Sequence, residues 1–165
     1  MLLTSFDGAS VELRPTRYQY PSAPSEPGDW DANWLDIHGR VRTATGESWR
    51  FDDPCLTTWE ARQLGAWLRA AADGRVPVTE APTEDSEDLL TFTEPNLGFS
   101  VGGREGDSLV VRVHLSLESV ADRRGAGEEA PYDFYAYSVP LRVERDELLA
   151  AAQAWDEDNR PFPER

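Results

Sequence analysis

Lysine is missing from this chain: all 16 basic residues are arginine. A phosphate loop of the G-x-x-x-x-G-K-S/T type therefore cannot form, and the G-x-S-x-G elbow that would expose a nucleophilic serine is absent as well. One cysteine, Cys55, excludes an intrachain disulfide and any multi-cysteine zinc cluster, which suits a reducing compartment. A lone cysteine is more often a small buried apolar group than a nucleophile. Only two histidines, His38 and His114, could act as bases near neutral pH. No apolar run reaches the ~20 residues needed to cross a bilayer. The start, Met1-Leu2-Leu3-Thr4-Ser5-Phe6-Asp7, has neither the basic opening nor the long apolar stretch of a signal peptide. The expectation is a cytoplasmic protein without cofactor or metal.

Acid and aromatic residues, in contrast, are plentiful. Against the 16 arginines stand 31 carboxylates, giving a net charge of −15 over 165 residues. Such a surface repels nucleic acid and anionic membranes and attracts basic proteins, although solubility alone is the simpler use of charge. Six Trp, five Tyr and six Phe provide large pieces of buried area, so the chain reads as folded. Its length suits a single domain, residues 1–165, burying roughly 70% of the surface of the unfolded chain. The abundance of Ala, Gly, Pro and Asp points to a GC-rich bacterial genome.

Periodicity places the elements. Strand-like pieces at Leu2–Phe6 and Val11–Arg17 precede a surface loop over 21–29 that holds three prolines. Between Asn33 and Thr43 residues Leu35, Ile37, Gly39 and Val41 alternate with Trp34, Asp36, His38, Arg40 and Arg42, the pattern of a half-buried strand. A turn at Thr43–Gly46 returns the chain through Trp49 and Phe51, and Asp52-Asp53-Pro54 is expected to end that strand. Thr57-Thr58-Trp59-Glu60 fits a capping box opening a helix over about 57–73, with Ala61, Leu64, Leu68 and Ala71 on its apolar stripe, Trp67 at the edge and Gly74 as the left-handed terminator. Residues 73–94 carry seven carboxylates and one arginine, and 79–88 reads as an acidic surface loop. Strands follow at Leu89–Thr93, Leu97–Val101, Leu109–Glu118 and Tyr132–Val143, with a mobile loop over Ala121–Pro131 and Pro140 suited to an edge. In the third of these, Leu109, Val111, Val113, Leu115 and Leu117 face inward and Arg112, His114, Ser116 and Glu118 outward. A second helix covers about 144–156, with Leu148, Ala151, Ala152 and Trp155 on one stripe, and 158–165 is expected to fray. The pattern is that of an α+β domain, a mostly antiparallel twisted sheet, taken as one sheet, with two packed α-helices.

Chemistry is sparse. If their strands were neighbours, His38 and His114 could meet and, with Asp36 or Glu118, bind a metal or move a proton; independent surface histidines are the simpler reading. Asp52-Asp53 invites a metal-ligand reading but is explained by strand termination and helix N-terminal charge. Gly102, Gly103 and Gly106 fit a hairpin, since no helix follows to aim at a phosphate. The richer segment is Asp29, Trp30, Asp31, Trp34 and Asp36, where aromatics interleave with acids. Aromatics anchor interfaces and acids steer encounter with a basic partner, unless a helix simply covers Trp34 as core.

Asp29-Trp30-Asp31-Ala32-Asn33-Trp34-Leu35, Gly39, Trp49-Arg50-Phe51-Asp52-Asp53-Pro54-Cys55-Leu56-Thr57-Thr58-Trp59-Glu60 and Leu64, Trp67 and Leu68 together resemble the WapI family of bacterial immunity proteins. The resemblance implies a non-enzymatic antidote that binds the toxic region of a wall-associated or polymorphic toxin, and it brings no catalytic residues. A basic toxin domain, such as a nuclease, would match the charge. The candidate contacts are Asp29, Trp30, Asp31, Trp34 and Asp36, with Glu80, Glu84, Asp85, Glu87 and Asp88 of the acidic loop. The competing readings are a small enzyme or metal protein using His38 and His114, and an accessory subunit of an unrelated assembly.

Overall fold

In the alternating segment that begins at Trp34, the computed structural model forms strand β3 (Trp34–Arg42) and buries Leu35, Ile37, Gly39 and Val41 on one face. The structure describes residues 1–22, 28–80, 82, 86, 88–123 and 137–165. Strand β3 pairs with β2 (Ser10–Tyr18) and β4 (Ser48–Thr57), and β1 (Leu2–Thr4) completes an antiparallel sheet in the order β1-β2-β3-β4. Gly39 lies opposite Phe51, and a Cβ there would stand 2.1 Å from the Phe51 ring. The missing side chain at Gly39 therefore leaves room for the aromatic ring of its neighbour to lie across the strand.

The acid pair before Pro54 does not end β4. The register slips between Leu35 and Asp36, Pro54 pairs opposite Asp36, and the strand continues to Thr57. Because β4 is an edge strand, no neighbour needs the N–H that Pro54 lacks.

A second antiparallel sheet contains β5 (Leu90–Thr91), β6 (Leu97–Glu105), β7 (Ser108–Leu115) and β8 (Ser138–Glu144), in that order. The α+β class and antiparallel pairing hold, but the strands divide into two four-stranded sheets where one was expected. Each sheet is built from sequential neighbours, which is the cheapest pairing, and the helix after β4 interrupts that run. Pro140 lies exposed on β8, at an edge, as its missing donor requires. The 3-10 helix Leu117–Arg123 replaces the end of the long strand expected at 109–118. The expected start of the last strand and most of the loop before it lie outside the described residues.

Helix α2 (Thr58–Ala72) carries the capping box: Thr57 Oγ1 accepts from Glu60 N, and Glu60 Oε2 accepts from Thr57 N at 2.8 Å. Its stripe Ala61, Leu64, Leu68 and Ala71 is buried, Trp67 sits at the margin against Phe99 of β6, and Gly74 adopts φ 75°. Arg104 of β6 donates to the carbonyls of Ala71 (2.8 Å) and Val76 (3.2 Å), satisfying acceptors at the helix end. Helix α3 (Arg145–Asn159) buries Leu148, Ala151, Ala152 and Trp155 and meets α2 closely at Gly65, where a Cβ would lie 2.6 Å from Asp156.

The tail read as fraying is tied down instead. Asp158 pairs with the amino group of Met1 at 2.7 Å, Phe162 packs edge-on against Tyr18 at 5.5 Å, and Arg165 stacks over the Tyr18 ring at 3.5 Å. Tyr18 donates its hydroxyl to the Pro163 carbonyl, and Arg62 pairs with Glu164. Residues of both sheets and helices α2 and α3 join one hydrophobic cluster.

Candidate functional site

Asp29 stops being loop and becomes the N-cap of a one-turn helix, α1 (Trp30–Asn33), which the sequence had not signalled. Its carboxylate accepts from Asp31 N at 3.0 Å. This turn presents Trp30, half exposed, against Trp34 (ring centroids 6.3 Å apart) and edge-on against Trp59 of α2 at 4.9 Å. Trp34 is half-buried, neither core nor fully presented. Three indoles from α1, β3 and α2 thus form an aromatic ridge whose outer member faces water.

Beside the ridge lies a cleft of about 350 Å³ lined by Gln19, Tyr20, Asp31, Trp34, Asp53, Pro54, Glu94, Asn96 and Glu118. Five separate stretches of chain build it. Glu60 contributes from beneath: its second carboxylate oxygen accepts from Thr93 N at 2.7 Å, fixing the turn that carries Glu94 to the start of α2. Asn96 is held by its carbonyl, which accepts from Ser116 N (3.2 Å) and Ser119 Oγ (2.7 Å). Leu117, a non-glycine residue at φ 49°, makes the left-handed step that turns Glu118 to the cleft, a conformation costing on the order of 1–2 kcal/mol.

Asp53 sits where its charge is disfavoured. Burial raises its pKa, repulsion from Glu118 and more weakly Glu94 raises it further, and hydrogen bonds from Cys55 and Asn96 only partly offset this. Its charged form is therefore disfavoured by folding, so the folded state is most stable with Asp53 protonated and loses that margin as pH rises through the folded pKa. Asp53→Asn keeps an acceptor for the Asn96 amide while deleting the charge. We expect this variant to raise Tm at pH 7 slightly, on the order of 1 °C once solvent screening is discounted. The gain should disappear below the ordinary carboxylate range; thermal melts of both proteins from pH 3 to pH 8 check it.

The cysteine and the two histidines named from sequence do not line the cleft. Cys55 is fully buried, and burial together with Asp53 pushes its thiol far above the thiolate range. Among the described residues no group of three His, Cys, Asp or Glu side chains is placed to hold a metal. His38 and His114 belong to different sheets: His38 Nδ1 bonds Asp52 at 2.7 Å, and His114 Nε2 bonds Ser100 Oγ at 2.9 Å. His114 and Ser116, expected on an outward face, are buried, because that end of β7 is covered on both sides.

Of the candidate partner contacts named from sequence, Asp31 and Trp34 line the cleft, with Trp30 on the adjoining ridge and Asp29 capping α1. Asp36 is committed elsewhere, paired with Arg17 at 2.6 Å. Glu80 and Asp88 sit on the connection from α2 to β5, where the Glu80 carbonyl accepts from Arg112 at 3.0 Å. Glu84, Asp85 and Glu87 lie outside the described residues. Asp53, Glu94, Asn96 and Glu118 were missed as cleft residues: the Asp52-Asp53 pair was explained as a strand end, and Glu118 was considered only as a partner of the histidines. No curated protein matches the chain. The model of the Immunity protein WapI-like family matches residues 1–163, and the chain belongs to this family.

Proposed function

We propose that this protein is a non-enzymatic immunity protein that neutralises a cognate bacterial toxin by binding it directly, in the cytoplasm of the cell that makes both. The observation that carries the reading is the family match over residues 1–163. The physical character of the surface supports it. A net charge of −15 speeds encounter with a basic domain and rejects nucleic acid, and the Trp30 ridge offers an aromatic anchor beside acids. A basic partner such as a nuclease domain, whose own cationic surface must hold phosphate, is the complement this surface suits. Asp29, Trp30, Asp31 and Trp34 are candidate contacts in this reading, together with Asp36 and with Glu80, Glu84, Asp85, Glu87 and Asp88 of the acidic segment. An enzymatic reading built on His38 and His114 has no observation in its favour, since the two rings are held in separate sheets by separate partners.

Co-expression tests the proposal. Where a toxin is encoded beside this gene, cells producing its toxic C-terminal domain should survive when this protein is produced with it, and the two should co-purify. Survival without complex formation would argue for an activity other than direct binding, and neither survival nor binding would end the immunity reading.

A further inference from the structure

We propose that the cleft bounded by Asp31, Asp53, Glu94 and Glu118 is a receptor for one arginine side chain presented by the basic partner, with Asn96 on its floor and Trp34 and Tyr20 on its walls. This rests on the reading of the protein as a binder of a cognate toxin and names the contact.

The ionisable groups lining the cleft are four carboxylates and the Tyr20 phenol, with no cation among them. Arginines elsewhere on the surface are paired with acids, for example Arg17 with Asp36, Arg69 with Asp156 and Arg142 with Glu105, yet among the described residues none pairs with these four. A second observation is independent of charge. Asn96 is 2% exposed, its amide nitrogen donates to Asp53, and its Oδ1, although buried, has no hydrogen-bond partner among the described residues. A buried acceptor without a partner is costly, and Asn96 itself lines a cleft whose charged groups are further acceptors. The missing complement is a donor-rich cation.

Shape selects the kind of cation. The carboxylates are not clustered for a metal ion, whereas a guanidinium spreads five N–H donors over a plane. That plane can lie against an aromatic face, and Trp34 and the half-exposed Tyr20 supply such faces at the wall. A volume of about 350 Å³ accommodates one long side chain, near the lower end of the roughly 300–1,000 Å³ typical of ligand pockets. The repulsion between Asp53, Glu118 and Glu94 is relieved when such a side chain enters. The cleft thus holds charge that works against folding and in favour of a partner, a trade common at binding sites.

Two measurements decide it. In the first, acetyl-arginine-amide is titrated into the isolated protein at millimolar concentration and followed by the Trp34 indole N–H resonance. A saturable shift that is absent in an Asp53→Asn/Glu118→Gln variant is expected; no saturable shift, or the same shift in the variant, overturns the cleft. In the second, the neighbouring toxin domain is bound to wild type, to that variant, and to an Asp146→Asn/Glu157→Gln control that removes equal charge from exposed positions on α3. Removing partners of a buried cation should weaken binding at least ~30-fold, against less than about threefold for the control. Equal losses in both variants would reduce the effect to bulk charge and overturn the receptor. Wild-type failure to bind the toxin would refute the immunity reading, while the titration still decides the cleft on its own. Tm of the cleft variant, expected at or above wild type, excludes misfolding as the cause.

Discussion

Replacing Trp155 with alanine should cost about 3–5 kcal/mol, the range for removing a large aromatic from a packed core. Trp155 is fully buried on α3, its indole N–H donates to the Ala61 carbonyl of α2 at 2.7 Å, and its ring passes the point where Gly65 lets the two helices approach. Collapse cannot easily fill the space, because the spacing of the helices is fixed by contacts across the seam, including the Arg69–Asp156 pair, whose arginine is itself anchored within α2 by its bond to the Gly65 carbonyl at 2.9 Å. For a domain whose whole stability is ~5–15 kcal/mol, the loss is a large share. Urea unfolding should show a lower midpoint with an unchanged slope. Trp155→Phe, which keeps most of the volume and loses the N–H, should fall clearly between alanine and wild type. A shift below about 1 kcal/mol for alanine, outside the range for a packed core, would mean that the α2–α3 seam is not packed as described.

How much of this was legible beforehand follows the distance over which each signal acts. The Thr57–Glu60 box, the Gly74 terminator and the apolar stripes of α2 and α3 are set within a turn or two of chain, and the structure shows each where the spacing predicts. The alternation of β3 likewise fixes its buried face. What alternation cannot say is which strands become neighbours, so the two sheets were read as one. Nor can it say when both faces of a strand are covered, so His114 was placed outside. The Asp52-Asp53-Pro54 triplet was misjudged because a bulge opposite Asp36 and an edge position, both properties of the sheet, let the strand run on. The cleft is the extreme case. Tyr20, Asp31, Asp53, Glu94, Asn96 and Glu118 come from distant stretches, each ordinary alone, and only the register of the β1-β2-β3-β4 sheet and the turn at Pro95-Asn96 bring them together.

Asn33 links that cleft to the scaffold, and Asn33→Ala should destabilise the protein by about 2–3 kcal/mol through the buried partners it leaves unmet. The side chain is fully buried and meets three parts of the chain. Its Nδ2 donates to the Asp29 carbonyl (2.7 Å) and the Arg165 carbonyl (3.1 Å), while its Oδ1 accepts from Thr58 Oγ1 (2.9 Å) and Arg165 N (3.0 Å). One amide therefore closes the single turn of α1, docks it on the N-terminus of α2 and anchors the C-terminal segment. A four-residue helix has too few internal hydrogen bonds to hold its own shape, so Trp30 and Asp31 are positioned largely by this side chain. The variant should lower Tm and also red-shift tryptophan emission below the transition, as Trp30 separates from Trp34 and Trp59. Unchanged emission with a lowered Tm would confine Asn33 to the scaffold. Asp53 behaves in the opposite way: Asn33 lies buried behind the α1 turn that carries Asp31 to the cleft, while Asp53 lines the cleft itself, so deleting the polar group at Asn33 should weaken the fold while deleting the charge at Asp53 should strengthen it. Opposite signs separate the residue that builds the site from the residue that waits for a ligand, and melts of the two variants under identical conditions measure that difference directly.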